Sequence, residues 1–155
     1  MTDGLKPGQL VRAIVEHRYL IPLFSSTVHA GFPSPADNFI EEALSLESLC
    51  LVHPEATRFY RVKGDCMIDA RIHEGDVLVV DCAIDPSPRL LHGKIVVAAI
   101  DGEFIVRWFV SKEPLVVLMP ANQDYSPIYL QPDEQASIVG VVVRIVAQPP
   151  RKPPL

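Results

Sequence analysis

Long apolar runs, metal-type cysteine pairs and basic clusters are all missing from these 155 residues. No apolar stretch approaches the roughly 18 residues that a membrane-spanning helix needs, so no bilayer span is expected. The three cysteines, Cys50, Cys66 and Cys82, are odd in number and include no Cys-x-x-Cys pair. That pattern argues against a disulfide framework and a zinc site, and it suits a reducing cytoplasm. No metal and no cofactor are expected. The formal net charge is -5 and no long Lys/Arg run occurs, which weighs against strong direct binding to duplex phosphates. Internal repeats are absent as well. What is present is enough chain for one compact domain with an arm or tail.

The first segment, residues 1–33, shows no sustained period beyond an apolar patch around Leu10 to Val15. It reads as a flexible arm. Basic residues (Lys6, Arg12, Arg18) followed by the apolar Tyr19 to Phe24 and then Val28-His29-Ala30-Gly31 imitate a secretory signal. The apolar stretch is too short, and Glu16 and Pro22 interrupt it, so secretion is not expected. Ser34-Pro35-Ala36-Asp37 has the composition of a helix start, with a capping serine, proline at the first position and an acid in the first turn. Phe39, Ile40, Ala43 and Leu44 would then share one face of a short helix ending near Leu46. The tail, 148–155, holds four prolines and two basic residues and reads as extended or disordered.

From Ser48 onward the chain reads as strands: Ser48 to Val52, Arg58 to Val62, Val77 to Asp81, Ile95 to Ile100, Glu103 to Val110, Leu115 to Met119 and Ile138 to Val146. A mostly β fold with one short N-terminal helix follows. Turn signals separate many of these strands, and Asp101-Gly102 suits a two-residue type I′ hairpin. Past that turn, alternation puts Glu103, Ile105, Arg107 and Phe109 on one face. Arg107 is thus a mid-strand charge among apolar neighbours. Alternation alone favours an edge arginine reaching past them to water, over a cation aimed at a site. Cys66 follows the tight Gly64-Asp65 pair, and alone it reads sooner as a small buried hydrophobe than as a nucleophile.

Gly64-Asp65-Cys66-Met67 and Asp101-Gly102-Glu103-Phe104-Ile105-Val106-Arg107 together resemble the catalytic segments of the LexA/UmuD self-cleaving peptidases. The resemblance runs from Ala30 to about Val146. It includes Gly31-Phe32-Pro33-Ser34-Pro35-Ala36, His53-Pro54, Met67-Ile68-Asp69, Gly75-Asp76, Ala98-Ala99, Tyr125-Ser126-Pro127-Ile128 and Gly140-Val141-Val142. The family carries a nucleophilic serine at the position of Cys66 and a lysine base at that of Arg107. The resemblance implies one β-rich peptidase domain over 34–147 and a homodimer. It also implies an arm cut at Ala30-Gly31 when RecA filaments form on single-stranded DNA. The partner implied is a Y-family polymerase, in an error-prone translesion polymerase of the SOS response to DNA damage. Only about thirty residues precede the scissile bond, and Pro7, Gly8 and Pro22 interrupt them, too little for the DNA-reading helices of the repressor branch.

Backbone N–H groups of Cys66 and Met67 are the expected oxyanion donors. The two substitutions change the chemistry. A guanidinium has no accessible neutral form and no lone pair to accept a proton. A cysteine asks for less help than a serine, yet a leaving amine still needs an acid. His29, beside the bond, and His53, His73 and His92 are the candidates. Three readings stay open: an accessory subunit whose self-cleavage is weak or lost, an active cysteine variant, and a non-enzymatic regulator that pairs with an active relative.

Overall fold

The computed structural model describes residues 19–25, 28, 30–31, 39–85, 87–131 and 136–150. The chain divides into two compact units, Met1–Leu51 and Val52–Leu155.

In the first unit, β1 (Ile21–Phe24) pairs antiparallel with β2 (Ile40–Leu44), placing Ile21 opposite Leu44. Ser25 closes the pair by donating both its N–H and its Oγ–H to the Phe39 carbonyl. All of β1 and most of β2 are exposed, so backbone bonds rather than a buried face hold this hairpin. The helix expected to carry Phe39, Ile40, Ala43 and Leu44 is therefore not formed over 40–44, and its Ser34-Asp37 start lies outside the described residues. The helix sits later, as α1 (Leu46–Cys50). Ser45 Oγ accepts the Ser48 N–H at 3.0 Å, and Ser48 Oγ accepts the Ser45 N–H at 3.1 Å. This reciprocal cap satisfies two donors that a helix start leaves open. It also displaces the strand expected at Ser48 to Val52.

The second unit is one seven-stranded antiparallel sheet. Its strands are β3 (Thr57–Arg61), β4 (Val77–Asp81), β5 (Ile95–Ile100), β6 (Glu103–Lys112), β7 (Leu115–Met119), β8 (Ile128–Leu130) and β9 (Ala136–Val146). Their spatial order is β3-β4-β9-β5-β6-β7-β8. A short helix, α2 (Pro88–Leu91), precedes β5. The mostly β expectation holds, and six of the seven expected strands fall on observed ones to within two residues at either end. At the β5–β6 hairpin, Asp101 and Gly102 take φ values of 50° and 83°, as a type I′ turn demands.

Central strands are buried on both faces, which is why they read as continuous apolar runs. Val97 of β5 faces a cluster with Met67, Ile72, Leu78 and Val80, while its neighbours Val96 and Ala98 face Leu91, Phe109 and Leu118. β9 runs between β4 and β5 and carries an extra residue against each, Val143 opposite β4 and Val139 opposite β5. Such bulges bend a strand and raise its twist. Between them, Gly140 lies so close to β4 that an added Cβ would sit 2.5 Å from the Asp81 carbonyl oxygen. The C-terminal strand was expected to offer an edge or a face for self-pairing. Along β9 the β4 side is paired over 141–146 and the β5 side over 136–141, so among the described residues each edge keeps a stretch without a strand partner.

Candidate active site

The loop after β3 brings the Gly64-Asp65-Cys66-Met67 segment into place. Val62 still pairs across to Gly75 and Asp76. Gly64 then turns the chain at φ 84°, with its N–H donated to Glu74 Oε2 at 2.7 Å. The Ile68 N–H closes onto the Asp65 carbonyl, and a 3₁₀ turn runs over Ile68–Ala70. Met67 and Ile72, both essentially inaccessible to solvent, anchor this loop in the core. The far side is tied to the β7–β8 connection. Ala121 donates its N–H to the Cys66 carbonyl at 2.9 Å and accepts from the Asp69 N–H at 2.8 Å. Asn122 Nδ2 donates to the Asp65 carbonyl. Cys66 is thus half-buried on a loop stapled from two directions.

Arg107 comes from β6. This strand pairs with β5 over its first half and with β7 only from Trp108 onward. Arg107 stands where the second partner stops, and the Cys66 loop occupies that gap. The arginine is 8% exposed. The expectation of an edge arginine reaching to water is therefore wrong: β6 is an interior strand and its cation is turned inward. Arg107 Nη1 donates to Cys66 Sγ at 2.7 Å and to the Val106 carbonyl at 2.8 Å. The same carbonyl lies 3.9 Å from Sγ. Arg107 Nε is buried with no acceptor among the described residues.

Two further residues complete the cluster. The Tyr125 ring lies under the guanidinium, 5.9 Å from Cζ to ring centre, and its hydroxyl donates to Asp65 Oδ1 at 2.6 Å. That hydrogen bond, and then the carboxylate's charge, push the Tyr125 hydroxyl above the ordinary tyrosine range. Tyr125 was visible beforehand only as part of a matching motif, without a role. Cys66, Arg107, Asp65 and Tyr125 all line one cleft of about 310 Å³, closed on another side by Tyr60 and Phe104, whose rings touch at 5.4 Å between centres.

The histidines considered as acids do not come here. His53 Nδ1 bonds the buried Asp81 at 2.8 Å, His73 lies near Asp76, and His92 Nδ1 accepts the Ser111 N–H. His29 lies outside the described residues. The Cys66 and Met67 N–H groups have no acceptor among the described residues. Ala30 and Gly31 form an exposed bend in the first unit. Burial pushes the thiol of Cys82, the other cysteine of the sheet unit, above its ordinary range.

Comparison with known proteins gives the family. The sequence profile of the family described as Peptidase S24-like matches residues 22–143. Protein MucA of Salmonella typhimurium is 44% identical over 131 residues, covering 84% of this chain and 86% of MucA. Protein SamA of the same species is 42% identical over 125 residues, covering 81% and 84%. The LexA repressor of Citrifermentans bemidjiense is 39% identical over 122 residues, which span 78% of this chain but only 58% of the repressor.

Proposed function

This chain belongs to the S24-like peptidase family, and on that premise we propose that it is a UmuD-like accessory subunit of an error-prone translesion polymerase, with self-cleavage weak or lost. The observation that carries this reading is the 2.7 Å contact between Arg107 Nη1 and Cys66 Sγ. It supports this reading because the residue the resemblance sets at the lysine base's position is a guanidinium in contact with the sulfur. A base must accept the nucleophile's proton, and a guanidinium offers no lone pair for it. The remaining machinery is of the family's kind. A rigid turn presents the nucleophile's position, and free N–H groups of Cys66 and Met67 suit an oxyanion. The exposed Ala30-Gly31 bend suits a bond that must be handed to a site.

In this reading residues 1–33 are the arm, 34–147 the peptidase domain and 148–155 a tail. The subunit acts in the cytoplasm as a homodimer and joins a Y-family polymerase. RecA filaments on single-stranded DNA are the stimulus for whatever cleavage survives.

The cysteine-variant reading draws on the same contact, because an N–H donor on sulfur stabilises its negative charge once formed. One experiment separates the two. The purified chain is incubated with RecA, single-stranded DNA and nucleotide, and N-terminal sequencing seeks a fragment beginning at Gly31. Absent or trace fragment is expected. Efficient cutting would give the cysteine-variant reading the stronger claim. Mixing with an active relative, followed by native mass spectrometry, tests pairing: heterodimers that suppress the relative's cutting would favour the regulator.

A further inference from the structure

The guanidinium beside Cys66 has more donors than the protein uses. Among the described residues Nη1 alone is engaged, by Sγ and the Val106 carbonyl. Nε is buried without an acceptor, and the residue as a whole is more than nine-tenths buried. Leaving a buried N–H unpaired is costly, so an orphan in a native site calls for a partner. The cation also stacks on Tyr125 and lines the same cleft as the half-buried sulfur. The result is a thiol in a cleft with a fixed cation on its sulfur.

We propose that Cys66 is a peroxide-reactive thiol, oxidised to a sulfenic acid by small hydroperoxides that enter the cleft. The Cys66 thiolate attacks one oxygen of hydrogen peroxide. The S–O bond forms with an electron pair from sulfur, and the O–O bond breaks. That bond's pair leaves on hydroxide, which takes a proton from solvent to become water. Sulfur loses two electrons and the peroxide gains them, so no further co-reactant is needed. Arg107 assists at both ends: its Nη1–H stabilises the attacking thiolate, and the guanidinium charge beside the sulfur favours the negative charge that develops on the departing oxygen. The sulfenic acid itself is reversible by thiols. The proposal rests on the Cys66–Arg107 contact and not on the chain's role in mutagenesis or on its self-cleavage. The comparison within the molecule is Cys82, which has no guanidinium on its sulfur among the described residues and whose thiol burial pushes above its ordinary range.

The test uses the full chain, reduced and then treated with hydrogen peroxide near pH 7 in the presence of a dimedone-type sulfenic-acid trap. Peptide mass mapping reads the label at Cys50, Cys66 and Cys82. Label is expected at Cys66 at least tenfold faster than at either other cysteine, with Cys66→Ser losing it. Arg107→Gln is expected to slow labelling of Cys66 tenfold or more, with Arg107→Lys falling between. Circular dichroism checks that each variant folds. If Arg107→Gln does not fold, the wild-type comparison decides alone. Labelling of Cys66 no faster than of the other two cysteines, or an unchanged rate in folded Arg107→Gln, overturns the proposal. Neither readout involves a fragment beginning at Gly31, so this failure and failure of the accessory-subunit reading are distinguishable.

Discussion

A single atom decides what Arg107 can do: a lysine nitrogen in its neutral form has a lone pair, and Nη1 never has one to give. This makes the dyad repairable in principle. Cys66→Ser alone is expected to stay inert, because the serine proton still has no acceptor. Arg107→Lys alone gives the cysteine a base and slow cleavage. The double variant restores the family's pair on an intact loop and is expected to cut after Ala30, faster at alkaline pH where the lysine is more often neutral. Electrophoresis over a pH series reads all three. An inert double variant beside a wild type that cuts efficiently would mean that another residue is the base. Tyr125 offers a second measurement. Its hydroxyl donates to Asp65 and titrates above the usual tyrosine value. The sign follows: the bond contributes stability below the unfolded pKa of about 10, and that contribution is lost as pH rises through the higher folded value. Asp65→Asn is expected to move the Tyr125 phenolate absorbance to lower pH. No movement would show that the carboxylate does not hold the proton.

Among the elements, Gly140 is the tightest point. Its neighbours across the sheet are backbone and a β-branched side chain, with Asp81 O at 2.5 Å and Val80 Cγ1 at 2.6 Å from an added Cβ. Neither can move far, so Gly140→Ala is expected to destabilise by about 1–3 kcal/mol. A lower urea midpoint with unchanged slope is the readout. The elements also show what a sequence can and cannot reveal. Strands β4, β5 and β7 carry their own signal, dense in Val, Ile and Leu because both faces are buried. β1 and β2 carry none, since nearly all their residues are exposed and no alternation exists to detect. α1 was missed for a local reason: the Ser45–Ser48 cap is a serine pair rather than the serine–glutamate signature. The site was legible only through two segments about forty residues apart matching a family. Read singly, Arg107 favoured an exposed edge that its burial overturns, while Cys66 read as a small hydrophobe and does pack against the core. What makes Cys66 and Arg107 meet lies elsewhere, in the β7–β8 connection and in the place where β7 stops pairing with β6, and neither leaves a local trace.

For the whole molecule, the outer strands and the half-paired edges of β9 are the places open to self-association. Phe59 on the outer strand β3 and Tyr129 on the outer strand β8 are both more than half exposed. A homodimer at micromolar concentration is expected by sedimentation, and a clean monomer would count against it. The β1–β2 hairpin carries a different consequence. The Ala30-Gly31 bond lies in the connection between its strands, so the peptide chain is the tether that keeps β1 at high effective concentration beside β2. Two exposed strands joined only by backbone bonds are marginal by themselves. Cutting the tether converts a folded hairpin into a dilute two-piece complex, and β1 should diffuse away. What stays behind is Ile40–Leu44 with an unpaired row of donors and acceptors, a template for another strand. A protease site placed over residues 28–31 and cut in vitro tests this: the N-terminal piece is expected to separate on gel filtration, and its co-elution would show that the strands hold without their link. Scission at this bond is then less a removal of thirty residues than the unmasking of five.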